Sequence, residues 1–136
     1  MVVDTSAVLA ILNQEPEAQE FSALLSQAQT CYISAVALLE AGIVIQAQKG
    51  MRGTHELDRF VQRTGITVES FTAEQAQIAC DAYAAYGKGN HSARLNFGDC
   101  ASYALAKLYG EPLLFKGTDF SQTDVEVAYQ GGYKSA

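Results

Sequence analysis

The sequence predicts an α/β domain of three layers, with a central parallel sheet of four to five strands flanked by helices. Three observations carry that expectation. Short runs that are apolar at every position, rather than at alternate ones, read as strands buried on both faces. Longer stretches with helical spacing separate those runs, and such alternation gives parallel sheets. At 136 residues, 49% of them hydrophobic and 18% charged, the chain is sized for a single domain, residues 1–136, around one core.

Met1-Val-Val3 is the first strand, and residues 6–13 and 16–28 follow with helical spacing, Pro16 being suited to a first turn. Cys31-Tyr-Ile33 is the second strand. Ser34 can cap a long helix that runs to about Lys49. A loop over residues 49–53 then leads into a helix over 54–64, and Ile66-Thr-Val68 is the third strand. Thr72-Ala-Glu-Gln75 has the form of a capping box and opens a helix that ends near Gly87, with a loop over 86–92. Asn96-Phe-Gly-Asp99 starts another helix, its apolar Ala101, Ala104, Leu105 and Leu108 on one face and Gly110 as its stop. Leu113-Leu-Phe115 is the fourth strand and Val125-Glu-Val127 a candidate fifth.

The composition excludes disorder, collagen-like repeats and mucin-like stalks. No apolar run approaches the roughly 20 residues of a membrane-spanning helix, and the opening residues lack a basic signal-peptide start, so a cytoplasmic location is expected. Cys31, Cys80 and Cys100 are widely spaced and odd in number, which fits small buried hydrophobes rather than disulfides or a thiolate metal site. Fifteen acids against nine bases give a net charge of −6, so a nucleic acid would have to dock on a local basic patch.

The acids are informative by position. Asp4 directly follows the first strand and Asp119 comes shortly after the fourth, so in a parallel sheet both stand at the edge where ligands collect. Glu40 has Val36, Ala37, Ile43 and Val44 three and four residues away on its helix, with no Lys or Arg within a turn. A buried carboxylate in that position needs a distant cation or a metal. Asp99 lies in the first turn of its helix, where the macrodipole favours an acid. Taken singly, Asp4 and Asp99 are equally read as caps, Asp119 as a turn residue, and Glu40 as reaching solvent. Together, Asp4, Glu40, Asp99 and Asp119 would repel by about 4 kcal/mol per close pair at an effective dielectric of ~20, so a shared pocket must hold a cation. Oxygen donors without Cys or His select a hard ion, Mg²⁺ or Mn²⁺. Ser6 and Thr118 are placed to orient those carboxylates, and Asp124 reads as a turn or cap residue.

In four segments the sequence resembles the PIN-domain ribonucleases, and within them the VapC-type toxins of toxin-antitoxin pairs. They are Val3-Asp-Thr-Ser-Ala7, Leu39-Glu-Ala41, Tyr86-Gly-Lys-Gly89 with Leu95-Asn-Phe-Gly-Asp-Cys100, and Leu113-Leu-Phe-Lys-Gly-Thr-Asp-Phe120 with Thr123-Asp124. The resemblance spans essentially the whole chain, and its metal-binding acids fall on Asp4, Glu40, Asp99 and Asp119. It implies a PIN-like fold and a Mg²⁺- or Mn²⁺-dependent endoribonuclease that hydrolyses phosphodiester bonds of structured RNA, tRNA or rRNA. It further implies a homodimer neutralised by a cognate antitoxin, with DNA contacted only through that antitoxin. The bases Lys88, Arg94 and Lys116 border the active edge and are the candidates for RNA phosphate contacts. The rival reading is a non-catalytic PIN-fold module that binds RNA or protein and keeps its acids for a structural metal. The apolar helices of the N-terminal half are plausible for a dimer face. Phosphatase, receiver-domain, P-loop and Ser-His-Asp patterns are absent.

Overall fold

The computed structural model describes residues 1–129. The elements are β1 (Val2–Val3), α1 (Thr5–Leu12), α2 (Ala18–Gln27), β2 (Tyr32–Ser34), α3 (Ala35–Thr64), β3 (Thr67–Glu69), α4 (Ala73–Tyr86), α5 (Phe97–Tyr109) and β4 (Leu113–Leu114), followed by a 3₁₀ turn over Phe120–Gln122. The four strands form one parallel sheet in the order β3-β2-β1-β4. Val2 pairs with Tyr32 on one side and Leu113 on the other, and Tyr32 pairs with Thr67.

Capping residues set the helix starts. Asp4 caps α1 through the Ser6 N–H, and Ser34 caps α3 by accepting from the Val36 N–H at 3.2 Å. Thr72 accepts from the Gln75 N–H at 3.2 Å, while the Gln75 side chain donates to the Ser70 carbonyl, so only half of the expected capping box forms. Asn96 and Asp99 make the complete box at the start of α5, and Gly110, in the left-handed region at φ 62°, ends that helix.

The sheet divides the interior in two. Val3, Val8, Phe21, Ile33, Ile45 and Phe60 pack on one face, and Val2, Leu95, Leu105, Leu113, Phe115 and Phe120 on the other. Successive strand residues point to opposite faces, which is why adjacent Val2 and Val3 serve different cores. Each such side chain contributes about 1.5–3 kcal/mol on burial.

Three expectations are corrected. The loop expected over residues 49–53 is a kink inside one helical run: Gly50 alone leaves the helix, at φ 61° and ψ −144°. Three residues on, Gly53 lets the second half of α3 fold back onto the first, since a Cβ there would lie 2.5 Å from the Ile45 carbonyl oxygen. Helix α5 has no solvent face along residues 100–106, which are all buried, because it lies under both the sheet and α4 rather than at the surface. The fifth strand is a single parallel bridge between Leu113 and Val127, held by Leu113 N–H to Glu126 carbonyl at 2.9 Å and Ala128 N–H to Leu113 carbonyl at 3.0 Å.

From β1 the chain moves outward through β2 and β3, then returns across the sheet to place β4 on the other side of β1. The connections diverge between β1 and β4, and the crevice beyond the carboxyl ends of those strands is where a parallel sheet binds ligands.

Candidate active site

Asp4 is the residue after β1, so its backbone is still held by the sheet: its N–H donates to the Leu114 carbonyl of β4 at 2.9 Å. The side chain is 3% exposed. Its Oδ2 accepts from the Ser6 N–H at 3.0 Å and the Ser6 hydroxyl at 2.7 Å, and its Oδ1 accepts from the Ser102 hydroxyl at 2.6 Å. Three donors fix both oxygens, so the carboxylate is satisfied without a counter-charge. The Ser6 Oγ also accepts from the Lys116 N–H at 3.0 Å, tying the chain after β4 to the same carboxylate.

Asp99 sits in the first turn of α5, where its side chain accepts from the Asn96 N–H at 3.0 Å. Burial pushes its carboxyl up to about 7; the Asn96 hydrogen bond opposes the rise, and the charges of Asp4, Asp119 and Glu40 add to it. Asp99 therefore feels all three of the other acids, which places the four within one electrostatic neighbourhood. Glu40, half-buried on α3, lies against the backbone of α5: a Cβ at Gly98 would come 2.4 Å from its Oε1. Only glycine leaves room for that carboxylate beside Asp99. Asp119 is exposed in the turn after β4, immediately before the 3₁₀ segment.

Among the described residues none of the four acids enters an ion pair, and no three His, Cys, Asp or Glu side chains stand close enough together to hold a metal ion without movement. The set is uncompensated negative charge built from oxygen donors on two strand ends and two helices. That chemistry fits a hard divalent cation, with Asp4, Glu40, Asp99 and Asp119 as the groups that would hold it.

Other expected residues lie elsewhere. Thr118 orients no acid: its carbonyl accepts from the Ser121 N–H at 3.2 Å, and its own hydroxyl has no partner among the described residues, because the turn after Gly117 leaves it exposed. Lys116 stands at the rim through its backbone, but its ammonium is bound by Glu15 and Glu17 of the α1–α2 turn. Lys88 and Arg94 are exposed in the loop between α4 and α5, without an ion pair among the described residues. Arg94 has a positive φ of 58°. Asp124 accepts from the Tyr103 hydroxyl at 2.5 Å and pairs with Lys107 at 3.1 Å, so it is taken up in holding the chain after the 3₁₀ turn against α5. Sequence reasoning missed Ser102 and Gly98. The available signals were a lone small hydroxyl in the apolar run after Asp99, one helical turn along, and a glycine in the first turn of a helix.

A family model described as PIN domain matches residues 1–126. The chain belongs to the PIN-domain family. Among relatives, a VapC ribonuclease of Mycobacterium bovis is 46% identical over 125 residues, covering 92% of this chain and 95% of the relative. A Ribonuclease VapC of Mycolicibacterium smegmatis is 45% identical over 129 residues, covering 95% and 100%. This PIN domain is accordingly of the VapC type. Among solved structures, VapC20 of Mycobacterium tuberculosis, described as a sarcin-ricin loop cleaving toxin, superposes with a TM-score of 0.75 at 22% identity, covering 91% of this chain and 95% of that one. VapBC2 of Rickettsia felis, bound to a DNA fragment from its promoter, gives 0.73 at 15% identity, covering 93% and 94%. At those identities the superpositions show the PIN fold alone.

Proposed function

We propose that this PIN domain is a Mg²⁺- or Mn²⁺-dependent endoribonuclease toxin that hydrolyses phosphodiester bonds of structured RNA, tRNA or rRNA, and that a cognate antitoxin neutralises it. The names of the relatives support a nuclease, and the toxin-antitoxin complex among the fold neighbours supports an antitoxin partner. The single observation that carries the catalytic reading is the Glu40 carboxylate packed against Gly98, one residue before the half-buried Asp99, with no ion pair to either acid among the described residues. A fold keeps such a cluster uncompensated where a cation completes it. The reading extends to a homodimer in the cytoplasm; no helix among the described residues is long and apolar enough to cross a membrane.

When bound, a divalent ion supplies the positive charge that draws in the scissile phosphate and acidifies the attacking water. Asp4, held at both oxygens by Ser6 and Ser102, is the fixed point of the donor set. Glu40 and Asp99 face it from two helices, and Asp119, in the exposed turn, is free to orient the attacking water. Of the cations expected to touch the RNA backbone, Arg94 is the one we place on a phosphate. Lys116 is bound to Glu15 and Glu17, and Lys88 lines an apolar hollow between α4 and α5 with Tyr83 and Phe97.

The test incubates purified protein with total RNA in Mn²⁺ and in EDTA, alongside Asp4→Asn and Asp99→Asn. Cleavage in Mn²⁺ that disappears in EDTA and in both variants is expected. Equal cleavage in EDTA, or full activity in the variants, overturns the reading.

A further inference from the structure

Beside the acid edge lies a small hollow of about 150 Å³, lined by Phe21, Phe115, Tyr129 and Glu17 and by the turn over residues 116–118 that follows β4. Phe21 and Phe115 are buried and form its floor. Tyr129 is half-buried, and its ring is fixed from two sides: it meets Phe21 edge-on at 5.1 Å between centroids, and its hydroxyl donates to Glu20. At half the roughly 300 Å³ of the smallest ordinary ligand pockets, the hollow is sized for one flat ring system rather than a whole nucleotide. Its position ties it to the acids. Thr118 immediately precedes Asp119, and the Lys116 N–H donates to the Ser6 hydroxyl, which in turn donates to Asp4. Gly117, at φ 103°, makes the turn that lets one short segment serve both places.

The wall of the hollow carries an unmet acceptor. Glu17 Oε1 is buried and has no hydrogen-bond partner among the described residues. The Lys116 ammonium stands 3.6 Å from it, beyond hydrogen-bond reach, and is held instead by Glu15. A buried acceptor without a donor is costly, and binding a group that brings the donor removes the cost. With Glu15 and Glu17 against one ammonium, a phosphate is repelled from the hollow, whereas a neutral ring bearing N–H groups is not. Among the RNA bases, guanine alone offers a carboxylate two adjacent donors, its N1–H and its N2 amine. Uracil flanks its N–H with two carbonyls that a carboxylate repels, and adenine and cytosine set an acceptor nitrogen beside their amine. We propose that this hollow is a base-recognition subsite, in which an unstacked guanine of the RNA lies against Tyr129 and gives its N–H donors to Glu17. The flexible Lys116 side chain shifts toward Glu15 to admit it. Unpaired RNA is read through such splayed bases, so the subsite fixes where the acid edge cuts, beside a guanine. The inference rests on the RNA substrate in the reading above.

Titration of the isotope-labelled full chain in EDTA with GMP, AMP and UMP, followed by amide NMR shifts, tests it without requiring cleavage. The phosphate is common to all three, so the base is the only variable. GMP is expected to move the signals of Lys116, Gly117 and Thr118, with a dissociation constant at least about tenfold below those of AMP and UMP. Glu17→Gln should raise the GMP constant at least about tenfold, because its amide places a donor where guanine needs an acceptor. Glu15→Gln weakens the same grip on Lys116 but leaves the acceptor in place, and should hold the GMP constant within about threefold of wild type. Amide signals far from the hollow report that both variants fold. Absence of GMP shifts at the turn, equal binding of GMP and UMP or AMP, an unchanged constant in Glu17→Gln, or an equal loss in Glu15→Gln would each overturn it. Any of these beside metal-dependent RNA cleavage leaves the nuclease standing without the subsite; guanine binding in a chain that cuts no RNA does the reverse.

Discussion

Carboxylates in two regions of this molecule are treated in opposite ways. On the flanks they are paired. A side-chain hydrogen bond from Lys49, with the Arg52 charge beside it, holds Glu56 below the usual carboxylate range, and the Tyr103 hydroxyl with Lys107 does the same for Asp124. At the sheet edge the acids have no ion-pair partner among the described residues, and burial with the neighbouring acid charges raises Asp99 to about 7 instead. The nearest lysine on the chain after β4, Lys116, is turned outward to Glu15 and Glu17. The flank pairs are structural and individually weak, of the order of 1 kcal/mol or less. The edge sacrifices stability to keep negative charge available, the pattern of a site completed by a ligand.

That contrast can be broken experimentally. The largest effect is expected at the fixed point of the edge: Asp4→Asn should lower RNA cleavage in Mn²⁺ by at least about 100-fold, measured as initial rate on a defined RNA. Gly98→Ala should lower Mn²⁺ affinity by roughly 10–100-fold, read by titration calorimetry, because the added methyl displaces the Glu40 carboxylate. Without metal, pH separates the regions. The Asp99 carboxyl is raised in the folded state, so its contribution favours folding below the unfolded value of 3.8 and is lost as pH climbs through about 7. The metal-free wild type should therefore lose on the order of 2 kcal/mol across that window relative to Asp99→Asn, whose amide keeps the Asn96 cap, as followed by urea unfolding at several pH values. Ser102→Ala, which strips one partner from a buried carboxylate, should cost about 1–3 kcal/mol. Asp124→Asn should be the mildest, about 1 kcal/mol or less with cleavage unchanged; a strong loss of cleavage there would end the division into paired and bare acids.

The parallel sheet was legible because its strands are apolar throughout and its helices open on recognisable caps, Asp4, Ser34, Thr72 and Asn96. The acids stood out for a related reason: Asp4 follows its strand directly, Asp119 comes shortly after its own, and Glu40 sits among apolar neighbours. What escaped depends on contacts distant in sequence. Ser102 reaches Asp4 across 98 residues, and nothing in its surroundings names the partner. The outward turn of Lys116 follows from where the α1–α2 connection falls in space, which spacing along the chain does not encode. Gly50 was read as part of a loop because glycine marks both a loop and a single-residue kink, and only the packing of Gly53 on Ile45 separates the two. The rise of Asp99 comes first from its burial, with the charges of Asp4, Asp119 and Glu40 adding to it, and that burial is set by packing that spacing along the chain does not encode.

The pairing of β1 with β4 ties the edge to the slowest kind of folding event. Asp4 is held by the sheet only when Val2 and Val3 lie beside Leu113 and Leu114, at the far end of the strand order in sequence. Closing so long a loop is slow beside local helix formation, so a partly folded chain has its helices before Asp4 acquires its neighbour on β4.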